Sequence, residues 1–267
     1  ALSMPDKPDS RFAQTRVLAE KYYHQMLDYH IQPQSPALYA YYNYDIQEQG
    51  EGLAPKLTNW DFGSGFDKAM KEFVMGRDMP LFTVGRSNGH LMNKFWLNNG
   101  KFYSYKRDSK NPNAVYLPKK EFAKLVGAYW EAFAKHLDEL GILDRAIFVI
   151  GECGLSTFDA VCTYILDGMK SQPHAKKIKI GHTAQTVSPW THRTSKGTLL
   201  MDEILDVPMS FNDEHYNYFE PEWNSRFVKP KHQQWVYYVQ TDHLVLEHAG
   251  LSTLVTPLKL RNFGVEG

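Results

Sequence analysis

A long patterned helix that runs within five residues into a wholly apolar strand constrains this chain more than any other feature. From Pro118 to Gly141, Leu125, Tyr129, Phe133 and Leu137 recur at a steady spacing of four, with Pro118 at the start and Gly141 at the end. Arg145-Ala-Ile-Phe-Val-Ile150 follows at once. A continuous apolar run of this length suits a strand covered on both faces, as in parallel sheets flanked by helices.

The same alternation recurs along the chain. Helices are expected over Arg11–Tyr29, Trp60–Met75, Phe158–Lys170 and Leu199–Leu205. Strands are expected over Pro36–Tyr42, Pro80–Val84, Lys177–Gly181, Val207–Phe211 and Trp235–Val239, with an irregular stretch from Gly85 to Tyr116. Parallel crossovers need about a dozen residues and usually a helix, so the rhythm points to βαβ units. With 267 residues, no internal repeat and no linker-like tract, we expect a single domain over residues 1–267. The expected fold is α/β, a (β/α)8 TIM barrel whose first and last strands are incomplete in this chain. A doubly wound open sheet is the alternative.

Composition narrows the function. Thirty basic residues balance thirty acidic ones, which argues against a general nucleic-acid binder. No run of about 18 apolar residues is present to cross a bilayer, and the first ten residues lack the pattern of a signal peptide. Cys153 and Cys162 form no CxxC or zinc pattern. HExxH, GxSxG, GxGxxG and P-loop signatures are all missing, and the eleven histidines fall in no standard ligand spacing. No metal and no cofactor are therefore expected. Aromatic residues make up 14% of the chain. They fill cores, and they also stack on sugar rings.

In such a barrel the working residues follow the carboxyl ends of strands. Glu152 stands just after Ile147-Phe-Val-Ile150, where desolvation raises a carboxyl pKa toward that of a general acid. A structural Glu paired with Arg or Lys is the rival reading. Asp213 and Glu214 follow the strand ending at Phe211 and are candidates for a second catalytic carboxylate, against a solvated acidic loop. Tyr42, Arg86, His182, Trp190, His215, Tyr216 and Tyr238 also fall at or near strand ends and are candidate substrate-binding residues. Most other aromatic residues belong to packing, because alternate strand residues face opposite sides.

The segment Leu137 to Glu152, with His136-Leu137 and Gly141 in its lead-in, resembles the helix, turn and fourth strand of family 123 glycoside hydrolases. Trp235-Val-Tyr-Tyr238 and Leu258-Lys-Leu-Arg-Asn-Phe-Gly264-Val-Glu-Gly267 are similar to that family's seventh strand and the lead into its eighth. The likeness runs in order through most of the chain. It implies a barrel, a secreted or periplasmic location, and a retaining, substrate-assisted attack on terminal β-linked N-acetylgalactosamine. There an Asp orients the substrate acetamide and the adjacent Glu is the acid/base, a role that falls on Glu152. The Asp position is Gly151 here, and glycine has no side chain to hold an acetamide. Another carboxylate then serves, or the substrate lacks an N-acetyl group, or activity has been lost. A galactose-type poly- or oligosaccharide, sulfated galactans included, is the expected substrate, with Arg86, Lys94, Arg107 and Arg193 available to sulfates. A non-catalytic sugar-binding barrel is the alternative.

Overall fold

The computed structural model describes residues 10–29, 42–63, 65–84, 95–96, 101–105, 114–150, 165–184, 204–211 and 235–237. In chain order these form α1 (Ser10–Asp28), β1 (Asn43–Gln47), β2 (Lys56–Asp61), α2 (Phe66–Ala69), which continues as a π-helical turn over Met70–Met75, and β3 (Phe82–Thr83). There follow β4 (Phe95–Trp96), β5 (Phe102–Ser104), β6 (Ala114–Tyr116), α3 (Lys119–Glu139), β7 (Ala146–Ile150), β8 (Lys179–Ala184), β9 (Val207–Phe211) and β10 (Trp235–Tyr237).

The apolar run is the second strand of a five-stranded parallel sheet of order β3-β7-β8-β9-β10. Its pleat divides its side chains between two cores. Ala146 and Phe148 join the main core, whereas Ile147 and Val149 pack with Val207 and Leu81 in a smaller one. All four are buried, which is why no polar residue interrupts the run.

The order of these strands is their order in sequence. A doubly wound sheet reverses its order at a switch point, and no reversal occurs among the described strands. Nor do they close on themselves: the described structure is a mixed α/β fold without a closed barrel. Its other two sheets are the antiparallel β1–β2 hairpin and the three-stranded β4-β5-β6, which is antiparallel between β4 and β5 and parallel between β5 and β6.

α3 matches its expected span. Pro118 is the N-cap and Gly141, at φ +72°, provides the left-handed residue that stops the helix. Its aromatic side chains are modest helix formers, so tertiary burial holds it in place. Ten of its residues are buried, and Trp130 meets Phe148 with ring centroids 4.6 Å apart. α1 likewise covers its expected range, with Ser10 as its first helical residue.

Other expectations need correction. The helix expected from Trp60 starts at Phe66, because Trp60 and Asp61 end β2. The π turn lets Met70, Phe73 and Val74 all turn inward, with Gly76 N–H donating to the Lys71 carbonyl at 2.8 Å. Asn43, not Pro36, begins the described part of the first strand, and residues 36–41 lie outside the described residues. The irregular stretch contains β4 to β6. β8 starts at Lys179 because a 3-10 turn occupies Ala175–Lys177, and another occupies Met169–Ser171 at the end of the expected 158–170 helix. In the short helix expected over 199–205, Ile204 is a turn residue and Leu205 is not helical, while residues 199–203 lie outside the described set.

Much of the aromatic content is structural. The hairpin lays Tyr44, Trp60 and Phe62 against α3, with Tyr44 and Trp60 centroids 4.4 Å apart and Phe62 stacked on His136 at 3.9 Å. Phe66 and Phe133 complete this cluster in edge-to-face contact at 5.1 Å.

Candidate functional site

Parallel strands run the same way, so the carboxyl ends of β3, β7, β8, β9 and β10 point to one edge of the sheet, although β3 stops level with Ile147, three residues short of the end of β7. In open and closed parallel sheets alike, ligands collect at that edge. Chain count ties the candidates to it: Arg86 comes three residues after β3, Glu152 two after β7, Asp213 and Glu214 two and three after β9, and Tyr238 directly after β10. Glu152, Asp213, Glu214, Arg86, Trp190, His215, Tyr216 and Tyr238 themselves lie outside the described residues.

Two predicted site residues fall inside them. His182 is on β8, where its backbone is level with Ile150 of β7 and Pro208 of β9. That places position 182 near the carboxyl end of the array, one strand from each of the chains leading to the candidate carboxylates. Tyr42 precedes β1 in the aromatic cluster. Its ring lies 5.8 Å from Phe62 and 5.2 Å from Phe133, and its hydroxyl hydrogen-bonds that of Tyr129.

Polar clamps hold the strand array in place. Asp206, just before β9, accepts the Ile180 N–H at 2.9 Å while its own N–H donates to the Ile180 carbonyl at 2.8 Å, fixing β9 against β8. On α3, Glu131 accepts the N–H groups of His174 and Ala175 at 3.0 and 2.9 Å, and its other oxygen meets His174 Nδ1 at 2.6 Å. Burial works to raise the Glu131 pKa, but these donors outweigh it and hold the carboxyl below its ordinary value. The crossover from β7 to β8 is thereby pinned to the helix that precedes β7.

A second clamp joins the hairpin to the small sheet. Glu48 accepts from Lys101 Nζ at 2.5 Å and from the Tyr103 hydroxyl at 2.8 Å. The Lys101 hydrogen bond lowers the Glu48 pKa against the opposing effect of burial. Burial, and then the Glu48 carboxylate, push the Tyr103 phenol far above its ordinary range. Sequence reasoning gave no sign of these pairs, because the partners are 53 and 55 positions apart and belong to no motif.

A cavity of about 610 Å³ lies elsewhere, lined by Gly63, Asp67, Lys68, Lys71 and Glu72, none of them in the parallel array. Histidines engage both of its carboxylates: His136 meets Asp67 at 2.6 Å and His24 meets Glu72 at 2.7 Å. It is a surface cleft of the helix layer, with its acidic groups already partnered. Among the described residues no three His, Cys, Asp or Glu side chains come together to hold a metal. No described helix is long and apolar enough to cross a membrane.

No protein-family model and no curated protein sequence matches the chain. Among solved structures it is similar to a family 123 glycoside hydrolase from Clostridium perfringens, described for glycolipid glycan hydrolysis, at 9% identity and a TM-score of 0.47. The similarity covers 76% of this chain and 32% of that one.

Proposed function

We propose that the protein is a glycoside hydrolase acting on a galactose-type glycan, sulfated or N-acetylated, with Glu152 as general acid/base and Asp213 or Glu214 as the second carboxylate. The observation that carries this reading is the parallel register of β7, β8 and β9. Strand spacing of about 4.8 Å separates β7 from β9 by roughly 10 Å. The chain needs only two residues to travel from either strand end to its carboxylate, at up to about 3.5 Å per residue. Separations of about 5–5.5 Å for retention and about 6.5–9.5 Å for inversion are both within that reach.

The sequential strand order supports placing this array within a (β/α)8 barrel formed by residues 1–267 as one domain. Glu152 then follows a strand whose buried side chains provide the low-dielectric border that keeps a carboxyl protonated near neutral pH. It protonates the departing sugar oxygen. Where the second carboxylate is the nucleophile, Glu152 then takes the proton of the water that hydrolyses the glycosyl-enzyme; where the second carboxylate is the base, that carboxylate takes the water's proton itself. Gly151 cannot orient a substrate acetamide, so Asp213 or Glu214 acts as nucleophile or base. His182 hydrogen-bonds the sugar; Arg86, Trp190, His215, Tyr216 and Tyr238 complete its binding, and Tyr42 borders it.

The test is turnover of galactan oligosaccharides by the parent and by Glu152→Gln, with melting temperature as the check on folding. Loss of about 10²–10⁴ in kcat at unchanged stability is expected. Undiminished turnover in the variant refutes the assignment. Gly151 also favours a second reading, a sugar-binding barrel without catalysis, which predicts equal binding by both proteins and turnover by neither.

A further inference from the structure

α1 is fastened to the body of the protein largely through its polar side. Glu20, His24 and Asp28 recur every fourth residue and meet charged groups on and just after the α2–π turn. Glu20 stands 3.7 Å from Lys68 Nζ, His24 Nε2 lies 2.7 Å from Glu72, and Asp28 pairs with Arg77. Tyr23, edge-on to Phe73 at 5.3 Å, is the one buried side chain of α1 among the described residues, with Met26 and Leu27 half-buried beside it. These contacts fix the rotation of the helix about its own axis and leave an apolar stripe facing outward.

Four of the seven large apolar side chains exposed among the described residues belong to this segment: Val17, Leu18 at 53%, Tyr22 at 57% and Tyr29 at 71%. Tyr29 N–H donates to the Gln25 and Met26 carbonyls, so the helical path reaches that far. At 3.6 residues per turn Leu18, Tyr22, Gln25 and Tyr29 share an arc of about 60°. Their spacing of four, three and four is that of the contact seam between paired helices. Scattered exposed apolar residues need no explanation, whereas a contiguous patch marks an interaction site.

We infer that this stripe is a homodimer interface in which α1 packs antiparallel against α1 of a second copy across a two-fold axis. The spacing reads the same in both directions. An axis level with the midpoint of residues 23 and 24 therefore sets Leu18 opposite Tyr29 of the second copy and Tyr22 opposite its Gln25, twice over by symmetry. The charges agree. Lys21 and Asp28 are both exposed and lie on one flank of the stripe. In this arrangement Lys21 comes within about 3 Å, along the helix axis, of Asp28 of the second copy. A parallel pair would put the two flanks on opposite sides and leave those charges unmatched. An aromatic side chain covers about 150–250 Å², so the two exposed tyrosines contribute roughly 250 Å² per copy. With the flanking side chains the pair buries on the order of 1,000 Å², the lower limit for a specific interface, so the dimer is a reversible one.

Sedimentation equilibrium of the full chain should show monomer and dimer exchanging with a Kd of roughly 10–100 µM. Tyr22→Glu combined with Tyr29→Glu should weaken the dimer at least about thirtyfold, with the melting temperature of the dilute protein unchanged. Lys21→Glu should weaken it about tenfold, and by less in high salt. Mild oxidation reads the orientation. Gln25→Cys should cross-link the pair, because its two copies stand about 4.5 Å apart along the axis. Leu18→Cys, about 16 Å from its counterpart, should cross-link no more than the parent with Cys153 and Cys162. A chain that stays monomeric up to about 500 µM overturns the inference, as does a dimer insensitive to the tyrosine pair or one cross-linked equally at both positions. So does a monomer that cosediments with phosphatidylcholine vesicles and releases them on the tyrosine substitutions, since the stripe would then belong to a lipid surface. The Lys21 variant and the cross-links decide the matter even if the double variant fails to fold.

Discussion

Replacing Glu131 tests whether one carboxylate holds the β7–β8 crossover against α3. Glu131→Ala removes the acceptor of two backbone N–H groups and one imidazole nitrogen. A hydrogen bond to a charged acceptor contributes about 1.5–3 kcal/mol, and an orphaned buried N–H costs about 1–3 kcal/mol. The Glu131 side chain keeps 20% of its accessibility, so water recovers part of that loss, and about 3 kcal/mol is expected in total. For a domain of this size that lowers Tm by about 6–12 °C. Glu131→Gln keeps one acceptor and loses the charge, so it should fall between parent and Ala. The pH dependence carries the sharper test. Folding holds the Glu131 pKa below its unfolded value of about 4.3. Its stabilisation is therefore complete above that value and disappears as pH falls through the lower folded value. The gap between parent and Glu131→Gln should be full at pH 7 and should shrink steadily below about pH 4. A constant gap down to pH 3, or an Ala variant melting within about a degree of the parent, would refute the clamp.

Two glycines separate crowding from backbone strain. A Cβ on Gly127 would lie 2.9 Å from the Gly168 carbonyl oxygen and 3.2 Å from Gln172 Nε2. Gly127→Ala must therefore push the helix off the turn, costing about 1–3 kcal/mol in urea denaturation, and a neutral result would show that the approach is looser than described. At Gly141 a Cβ meets nothing within 4 Å but φ is +72°, so Gly141→Ala should cost about 1 kcal/mol from the backbone alone. Equal losses at both positions would mean that contact distance is not what distinguishes them.

Elements whose stability is local were legible in the sequence. α3 announces itself through its spacing of four and its Pro and Gly ends, and β7 and β9 through compact apolar runs. The hairpin was hidden because Phe62, Phe66, Ala69, Met70 and Phe73 carry a helical spacing back to the residue that directly follows β2. Asn59, at φ +50° beside a register shift in β1, breaks the alternation by which a strand is recognised. β4 to β6 have two or three residues each, too few for any period to show. Of the candidate site, the strand ends could be read and the clamps could not. Glu48, Glu131 and Asp206 find their partners 26 to 55 positions away, through folding that no spacing encodes. Tyr42 was singled out at the end of an expected strand, and its ring sits where five other aromatic side chains converge.

The division of β7 between two unequal cores fixes more than the strand. Sliding it by one residue would thrust the Phe148 ring into space shaped for Ile147 and Val149, and leave small side chains facing Trp130. The phase of those five residues also sets the point from which the chain departs toward position 152. A deletion inside 146–150 should therefore be far more harmful than one in a surface turn, since it would put the wrong side chains into both cores and shift everything the strand leads to in a single stroke.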